Sequence, residues 1–297
     1  MLGLIVRRIF ATIPVVAIVS IIVFSLIYLS PGDPAAIIAG DLATTEDVDR
    51  IRAKLGLDQP LHIQFGRWVW RLLHGDLGIS IFSNLPVQRL IGQRIEPTLV
   101  LTVTTTLWVI LTAIPMGILA AWRAGSWIDR AVMGLAVLGF SFPSFVIGYI
   151  LMFVIAVKLE LLPVQGYAPL ADGIVPFLRS IILPSLTLGL VYTALVARMT
   201  RASLLEILGQ DYMRTARAKG LVPMRILLRH GLKNAAVPIV TTLGAGIALL
   251  IGGVVVTESV FGIPGLGRLT VDAIVRRDYP VIQGVMLVFA IAYVIIN

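Results

Sequence analysis

Six apolar runs, 9–29, 97–121, 131–157, 181–197, 236–256 and 281 onward, hold no Asp, Glu, Lys, Arg or His, and they constrain this chain more than any other feature. A bilayer core of about 30 Å is crossed by roughly 20 apolar residues. No water there can satisfy free peptide groups, so each run has to be helical. The expected fold is therefore all-α, a polytopic membrane protein with six transmembrane helices. With 58% apolar and 13% charged residues, the composition argues against a soluble globule. The net charge of +8 would suggest nucleic acid in a soluble chain. Here the basic residues flank the spans, so the expected neighbours are lipid phosphates and not nucleic acid. The chain has no cysteine, which rules out disulfides and thiolate metal sites.

Six spans put both termini on one side. The short segments 1–8, 122–130 and 198–235 carry 2, 2 and 8 Lys or Arg, against 2 and 3 in 158–180 and 257–280. Basic residues accumulate on the cytoplasmic side, so both termini and segment 198–235 are expected there. The run 9–29 follows Arg7 and Arg8, exceeds a signal-peptide core and lacks a convincing cleavage site, so it is expected to be a retained span. The expected organisation is residues 1–29 as the N-terminus and first span, 30–96 as a small extracytoplasmic helical insertion, and 97–297 as a five-helix core. In the insertion, Thr44 or Thr45 can start a helix that Gly56 ends. A second helix is expected over Leu61–Leu73; its Trp68 and Trp70 suit the head-group region. An insertion this small lacks the core of an enzyme domain.

Ion- or proton-coupled carriers commonly need an ionisable or broken-helix site near the midplane, and these spans hold no ionisable group. Nor does the chain contain a GxxxxGK[ST] phosphate loop, so any ATPase must be a separate polypeptide. An intramembrane enzyme finds no His-Glu-x-x-His run and no paired membrane carboxylates. Mild polar groups remain. Ser141, Ser144, Tyr149, Thr241 and Thr242 are candidates to line a pathway, the alternative being hydroxyls bonded to their own helix backbones. Pro143, within SFPSF, is the strongest candidate kink, where Ser141 and Ser144 can satisfy freed carbonyls. Gly244, Gly246, Gly252 and Gly253 thin the fifth span, for close packing between subunits or for bending.

The one dense polar stretch between spans is 211–234, DYMRTARAKGLVPMRILLRHGLKN. Asp211 can cap a helix, while Gly220 followed by Pro223 reads as a stop. Ala216 and Gly220, four residues apart, leave one side small enough for another backbone to approach. So short a helix is barely stable alone and needs a partner. The pattern by itself fits either an ordinary basic cytoplasmic loop or a docking helix. Past the fifth span, TESVFGIPGLGRL (257–269) turns at Pro264-Gly265-Leu266-Gly267, with Glu258 at the outer membrane edge.

RTARAKG, within DYMRTARAKGL, resembles the "EAA" loop of ABC-importer permeases in its dipeptide/oligopeptide version. SPGDP (30–34), GDLGIS (75–80) and ESVFGIPGLGRL (258–269) resemble the same branch, which spreads the likeness over nearly the whole chain. The resemblance sets Arg214, Thr215 and Ala216 at the E-A-A positions and Gly220 at the matching glycine. Arg for Glu and Thr for Ala depart from the general pattern, and the downstream leucine-proline pair becomes Val237-Pro238. The resemblance implies a type I ABC-importer permease fold in a bacterial inner membrane, with a short cytoplasmic tail beyond Asn297. It implies an ATPase-coupling helix comprising Asp211, Tyr212, Arg214, Thr215, Ala216, Arg217, Ala218, Lys219 and Gly220. It also implies that Glu258, Phe261, Pro264, Gly265 and Gly267 lie near an outer gate and a docked solute-binding protein. The implied partners are a second, homologous permease subunit, two ATP-binding subunits or domains and that binding protein. ATP and Mg would sit on the ATPase, with no cofactor bound by this chain. Peptide is the implied cargo. Nickel, haem or glutathione on the same machine is the alternative, and because His62, His74 and His230 all lie outside the spans, a metal site in this subunit is disfavoured. An ion-coupled carrier is the reading from another class.

Overall fold

The computed structural model describes residues 2–29, 33–39 and 43–296. In chain order its helices are α1 (Leu2–Leu29), α2 (Pro34–Ala39), α3 (Thr45–Leu55), α4 (Leu61–Leu73), α5 (Val87–Trp122), α6 (Trp127–Ser141), α7 (Ser144–Leu151), α8 (Ile174–Leu208), α9 (Asp211–Ala218), α10 (Pro223–Arg225), α11 (Leu232–Phe261), α12 (Leu266–Arg276) and α13 (Tyr279–Ile296). Helix α7 runs on as a π-helical stretch, Met152–Lys158, and a second such stretch, Ile226–Gly231, joins α10 to α11. There is no strand among the described residues. Four helices are long and apolar enough to cross a membrane: α5, α8, the continuous 223–261 segment and α13. The bent pair α6–α7 makes a fifth if counted as one span, and α1 is apolar over Thr12–Tyr28.

Helix ends outrun the apolar runs. Helix α8 spans 35 residues, about 50 Å at 1.5 Å per residue, and continues through Arg198, Arg201 and Glu206 past the 181–197 apolar segment. Helix α5 starts ahead of Pro97 and carries both Pro97 and Pro115 internally. At SFPSF the chain breaks instead of kinking. Phe142 and Pro143 are extended, and the axes on either side differ by 103°. Ser141 Oγ donates to Val137 O at 2.8 Å, the carbonyl four residues back on its own helix and not the Gly139 carbonyl that Pro143 leaves without a helical partner.

The chain divides into two compact units, Met1–Glu96 with Leu269–Ile295, and Pro97–Arg268. Residues 269–295, expected within the 97–297 core, thus belong to the first unit. Its centre is Trp68, packed with Val23 and Leu287 and ringed by Phe24 and Phe65. The indole Nε1 donates to Gln283 Oε1 at 3.2 Å. Trp68 is therefore an interior residue, and only Trp70, 65% exposed, has the outward position expected of both tryptophans. Thr44 caps α3 by a reciprocal capping box with Asp47, and Gly56 closes it in the left-handed conformation. The hydroxyl and then the N–H of Thr44 hold the Asp47 carboxyl below its ordinary pKa. Arg52 binds Asp33 and Asp49. Of SPGDP, Ser30, Pro31 and Gly32 lie outside the described residues. In GDLGIS, Ser80 Oγ donates to the buried Asp278 Oδ2 at 2.5 Å, and Ile81 N–H donates to Oδ1 at 3.2 Å.

The second unit is built on α8, which packs against α6, α7 and α11. Its core joins Leu101, Val109, Ile181, Leu188, Tyr192 and Phe261 among others. A Cβ on Gly246 would fall 2.0 Å from Tyr192, and one on Gly253 would fall 2.8 Å from Leu188, so both glycines let α11 press on α8. Gly244 and Gly252 meet nothing within 4 Å. Two of the four glycines thus serve packing inside the chain, where the sequence alone left subunit contact or bending open.

Candidate functional site

Helix α8 ends at Leu208, and Gly209 and Gln210 link it to α9. Gln210 is the cap position and Asp211 is the first helical residue, where its carboxylate still favours the helix N-terminus. The helix stops because Gly220 adopts φ +75°, a conformation that costs a Cβ-bearing residue. There its N–H bonds Arg217 O at 2.9 Å, and Leu221 N–H bonds Ala216 O at 3.3 Å. Pro223 then opens the next helical segment.

Four contacts hold this eight-residue helix. Met213 is fully buried, Ala216 is half-buried, Arg217 Nη2 donates to Leu208 O at 3.2 Å, and Asn234 Nδ2 donates to Tyr212 Oη at 3.2 Å. The π-helical stretch behind α9 supplies buried Ile226 and Leu227. Apart from Met213 and Ala216, the 211–220 stretch is open to solvent. Asp211, Tyr212, Arg214, Thr215, Arg217, Ala218, Lys219 and Gly220 are exposed. Arg214 reaches Asp211 at 3.4 Å, an exposed pair contributing little. The outward surface, with Arg225, Arg229 and Lys233 also exposed, is therefore basic. Beside it a cavity of about 510 Å³ opens between Trp122, Leu205, Leu208, Leu221 and Leu227, with Arg217 in its lining.

The hairpin after α11 folds around a carboxyl group. Glu258, with no exposed surface, accepts from Thr98 Oγ at 2.6 Å and from Arg268 N–H at 3.0 Å, while Leu266 N–H donates to Thr98 Oγ at 2.8 Å. A Cβ on Gly265 would lie 2.1 Å from Glu258 Oε1, and one on Gly267 would lie 2.5 Å from Val255 Cα. The GIPGLG turn therefore needs its glycines for close approach. Phe261 is buried in the core, and its carbonyl accepts from Gly166 N–H at 2.9 Å. Of the five residues expected near an outer gate, Glu258, Phe261, Gly265 and Gly267 are buried and only Pro264 is exposed. The geometry gives the buried four a part in shaping the hairpin, while Pro264 and Arg268 are exposed.

The pathway candidates divide between α6–α7 and α11. Ser141, Tyr149 and Thr241 are exposed, and Ser144 and Thr242 are half-buried. Ser141, Thr241 and Thr242 each donate to the carbonyl four residues back, at 2.8, 2.9 and 2.8 Å. None of the five lines the cavity beside α9.

One feature had no sequence signal. Arg201 on α8 grips Asp129 at the start of α6 with two bonds, Nε to Oδ1 at 2.5 Å and Nη2 to Oδ2 at 2.7 Å. The Asp129 side chain is 5% exposed, and it also accepts from Gly125 N–H at 2.9 Å. Seventy-two positions separate the partners, so no periodicity links them.

Comparison with known proteins bears on the whole chain. Residues 113–297 match the model of the binding-protein-dependent transport system inner membrane component, and residues 1–102 match its N-terminal companion. A "Probable peptide ABC transporter permease protein" of Sinorhizobium fredii is 50% identical, covering 99% of this chain and 94% of that protein. A glutathione transport system permease of Salmonella paratyphi A is 46% identical over all of this chain and 94% of its own. A chain of the inward-facing MetNI methionine ABC transporter shares the fold, with a TM-score of 0.58 at 20% identity, covering 70% of this chain and 92% of that one. The protein, mostly helical and multi-pass, therefore belongs to the family of binding-protein-dependent transport system inner membrane components, the permease subunits of ABC importers.

Proposed function

We propose that this chain is one of two homologous permease subunits in an ATP-driven peptide importer, and that α9 is the part an ATPase subunit moves. The observation that carries the reading is α9 itself: a short helix pinned by the buried Met213, with eight of the nine expected coupling residues exposed. The family implies ATPase and substrate-binding partners. Two ATP-binding subunits or domains hold ATP and Mg, a solute-binding protein delivers cargo on the outer face, and this chain catalyses nothing itself. Both termini lie in the cytoplasm. ATP-driven closure of the ATPase pair draws the two cytoplasmic helices together and turns the cavity outward, and hydrolysis resets the inward state. This is a population shift, driven by a ligand that favours one state.

Peptide is the favoured cargo because the Sinorhizobium relative, 50% identical, is named for it. Glutathione is the second reading, supported by the 46% identical Salmonella permease. Competition between labelled di- or oligopeptides and glutathione for uptake by the assembled transporter separates the two. The coupling claim is tested by Gly220→Asp and by Ala216→Trp. A Cβ at Gly220 meets nothing within 4 Å, but the φ of +75° strains any side chain there, so Gly220→Asn, which carries the same strain without the charge, is the control. ATP hydrolysis without uptake, in a complex that inserts normally, is the expected result. Normal uptake in both variants refutes the reading.

A further inference from the structure

We infer that the Asp129–Arg201 fork is a transmission joint that makes the broken span α6–α7 follow the movement of α9. The inference rests on the coupling role proposed above for α9. Helix α8 runs unbroken to Leu208, two residues short of α9, so force on α9 arrives first at the end of α8. That end is held on three sides. Toward α5, a Cβ on Gly117 would lie 2.5 Å from Thr200 Cβ and 2.7 Å from Ala197 O, so the two helices are in backbone contact. Toward α11, Leu204 is buried with Leu227, Ala235 and Ile239. Toward α6, the tie at this level is the fork from Arg201 to Asp129.

The fork has the properties of a joint. Two parallel bonds fix rotation as well as distance, which a single contact does not. Asp129 is itself immobilised: Gly125 N–H donates to it, and Ser126 caps its helix by accepting from Asp129 N–H at 3.4 Å. Its helix leads to Phe142 and Pro143, beyond which the chain turns by 103°. A displacement of the α8 end thus carries the start of α6 with it and reaches the break, the point in this span where reorientation meets least backbone resistance.

A purely stabilising ion pair would look the same at rest, so the test separates stability from transmission. Removing one partner strands a buried charge and disrupts folding, whereas removing both leaves none. The complete complex with its ATPases and binding protein is reconstituted in vesicles, and substrate imported per ATP hydrolysed is measured for wild type, Asp129→Asn/Arg201→Met, and Arg201→Lys. The double variant is expected to copurify with its partners at wild-type yield yet import at least about three-fold less per ATP, within the range seen for residues in coupling networks. Arg201→Lys keeps the charge and loses the fork, so its ratio should fall between the two. A wild-type ratio in the double variant overturns the joint. If the double variant does not assemble, a wild-type ratio in Arg201→Lys overturns it equally. Wild-type uptake that needs no ATP sinks the coupling reading itself, whereas coupled variants beside a coupled wild type sink only the joint.

Discussion

Gly265→Ala adds one methyl group to the hairpin after α11, and the geometry makes its cost calculable. The new carbon would stand 2.1, 2.2 and 2.4 Å from Oε1, Cδ and Oε2 of Glu258, where ordinary contact begins near 3.4 Å. The carboxyl group has to retreat by roughly 1 Å, and it is the far end of a side chain with nowhere to go. It has no exposed surface, and its oxygens are engaged by Thr98 Oγ and Arg268 N–H. Displacing two buried acceptors costs about 1–3 kcal/mol each, so a loss of about 2–6 kcal/mol follows before relaxation. Gly252→Ala is the control: its Cβ meets nothing within 4 Å, and alanine is the better helix former by up to about 1 kcal/mol. Thermal unfolding of the purified, detergent-solubilised protein, followed by loss of the monodisperse species, should put Gly265→Ala several degrees below wild type and Gly252→Ala at or above it. Equal midpoints for the two variants would refute the account of the buried carboxyl turn.

Ser80→Ala removes the hydroxyl donated to Asp278 and leaves a buried carboxyl oxygen short of a donor. About 1–3 kcal/mol should be lost, with faster hydrogen exchange over residues 76–86 as the local readout. Thr44→Ala deletes the α3 cap at a cost of about 1 kcal/mol, visible as increased proteolysis in that helix. The depressed pKa of Asp47 adds support to α3 that is complete above the usual carboxylate range and fades as pH falls through the lowered value. Proteolysis of α3 should therefore rise on acidification in wild type and respond less in Asp47→Asn. Gly246→Ala drives a methyl group into Tyr192 at 2.0 Å, and should lower the unfolding midpoint far more than Gly244→Ala, whose Cβ is unopposed.

Local chemistry was readable wherever a few adjacent residues decide it. Leu61–Leu73 forms the helix expected over those residues, Thr44 and Gly56 bound α3, and Gly220 with Pro223 ends α9. Hydropathy bounded only the apolar part of each helix, because charged residues such as Arg198 and Glu206 continue a helix as readily as apolar ones. SFPSF announced a disruption, but a kink-forming proline does not by itself specify that the axes on either side differ by 103°. What the linear pattern hid is pairing at a distance. Asp129 with Arg201, Thr98 with Glu258 and Ser80 with Asp278 are separated by 72, 160 and 198 positions, and none lies on a shared periodic face. Glu258 is the instructive case. Its place at a span end suggested a surface role, whereas two glycines and a threonine brought by the fold enclose it completely. Tryptophan misled in a similar way: both indoles suit a head-group boundary, and only the interior packing with Phe24 and Phe65 tells Trp68 from Trp70.

The chain contains no cysteine, so a single one introduced at Arg214 or Lys219 can be addressed without background. Site-directed cross-linking from those positions in the assembled transporter, with and without ATP, asks whether an ATP-hydrolysing partner sits on the open face of α9. The account predicts a cross-link to the ATPase subunit whose yield changes with nucleotide, and labelling by impermeant thiol reagents only from the cytoplasmic side. Labelling from the outer side, or no cross-link to the ATPase in a complex that transports, would contradict it.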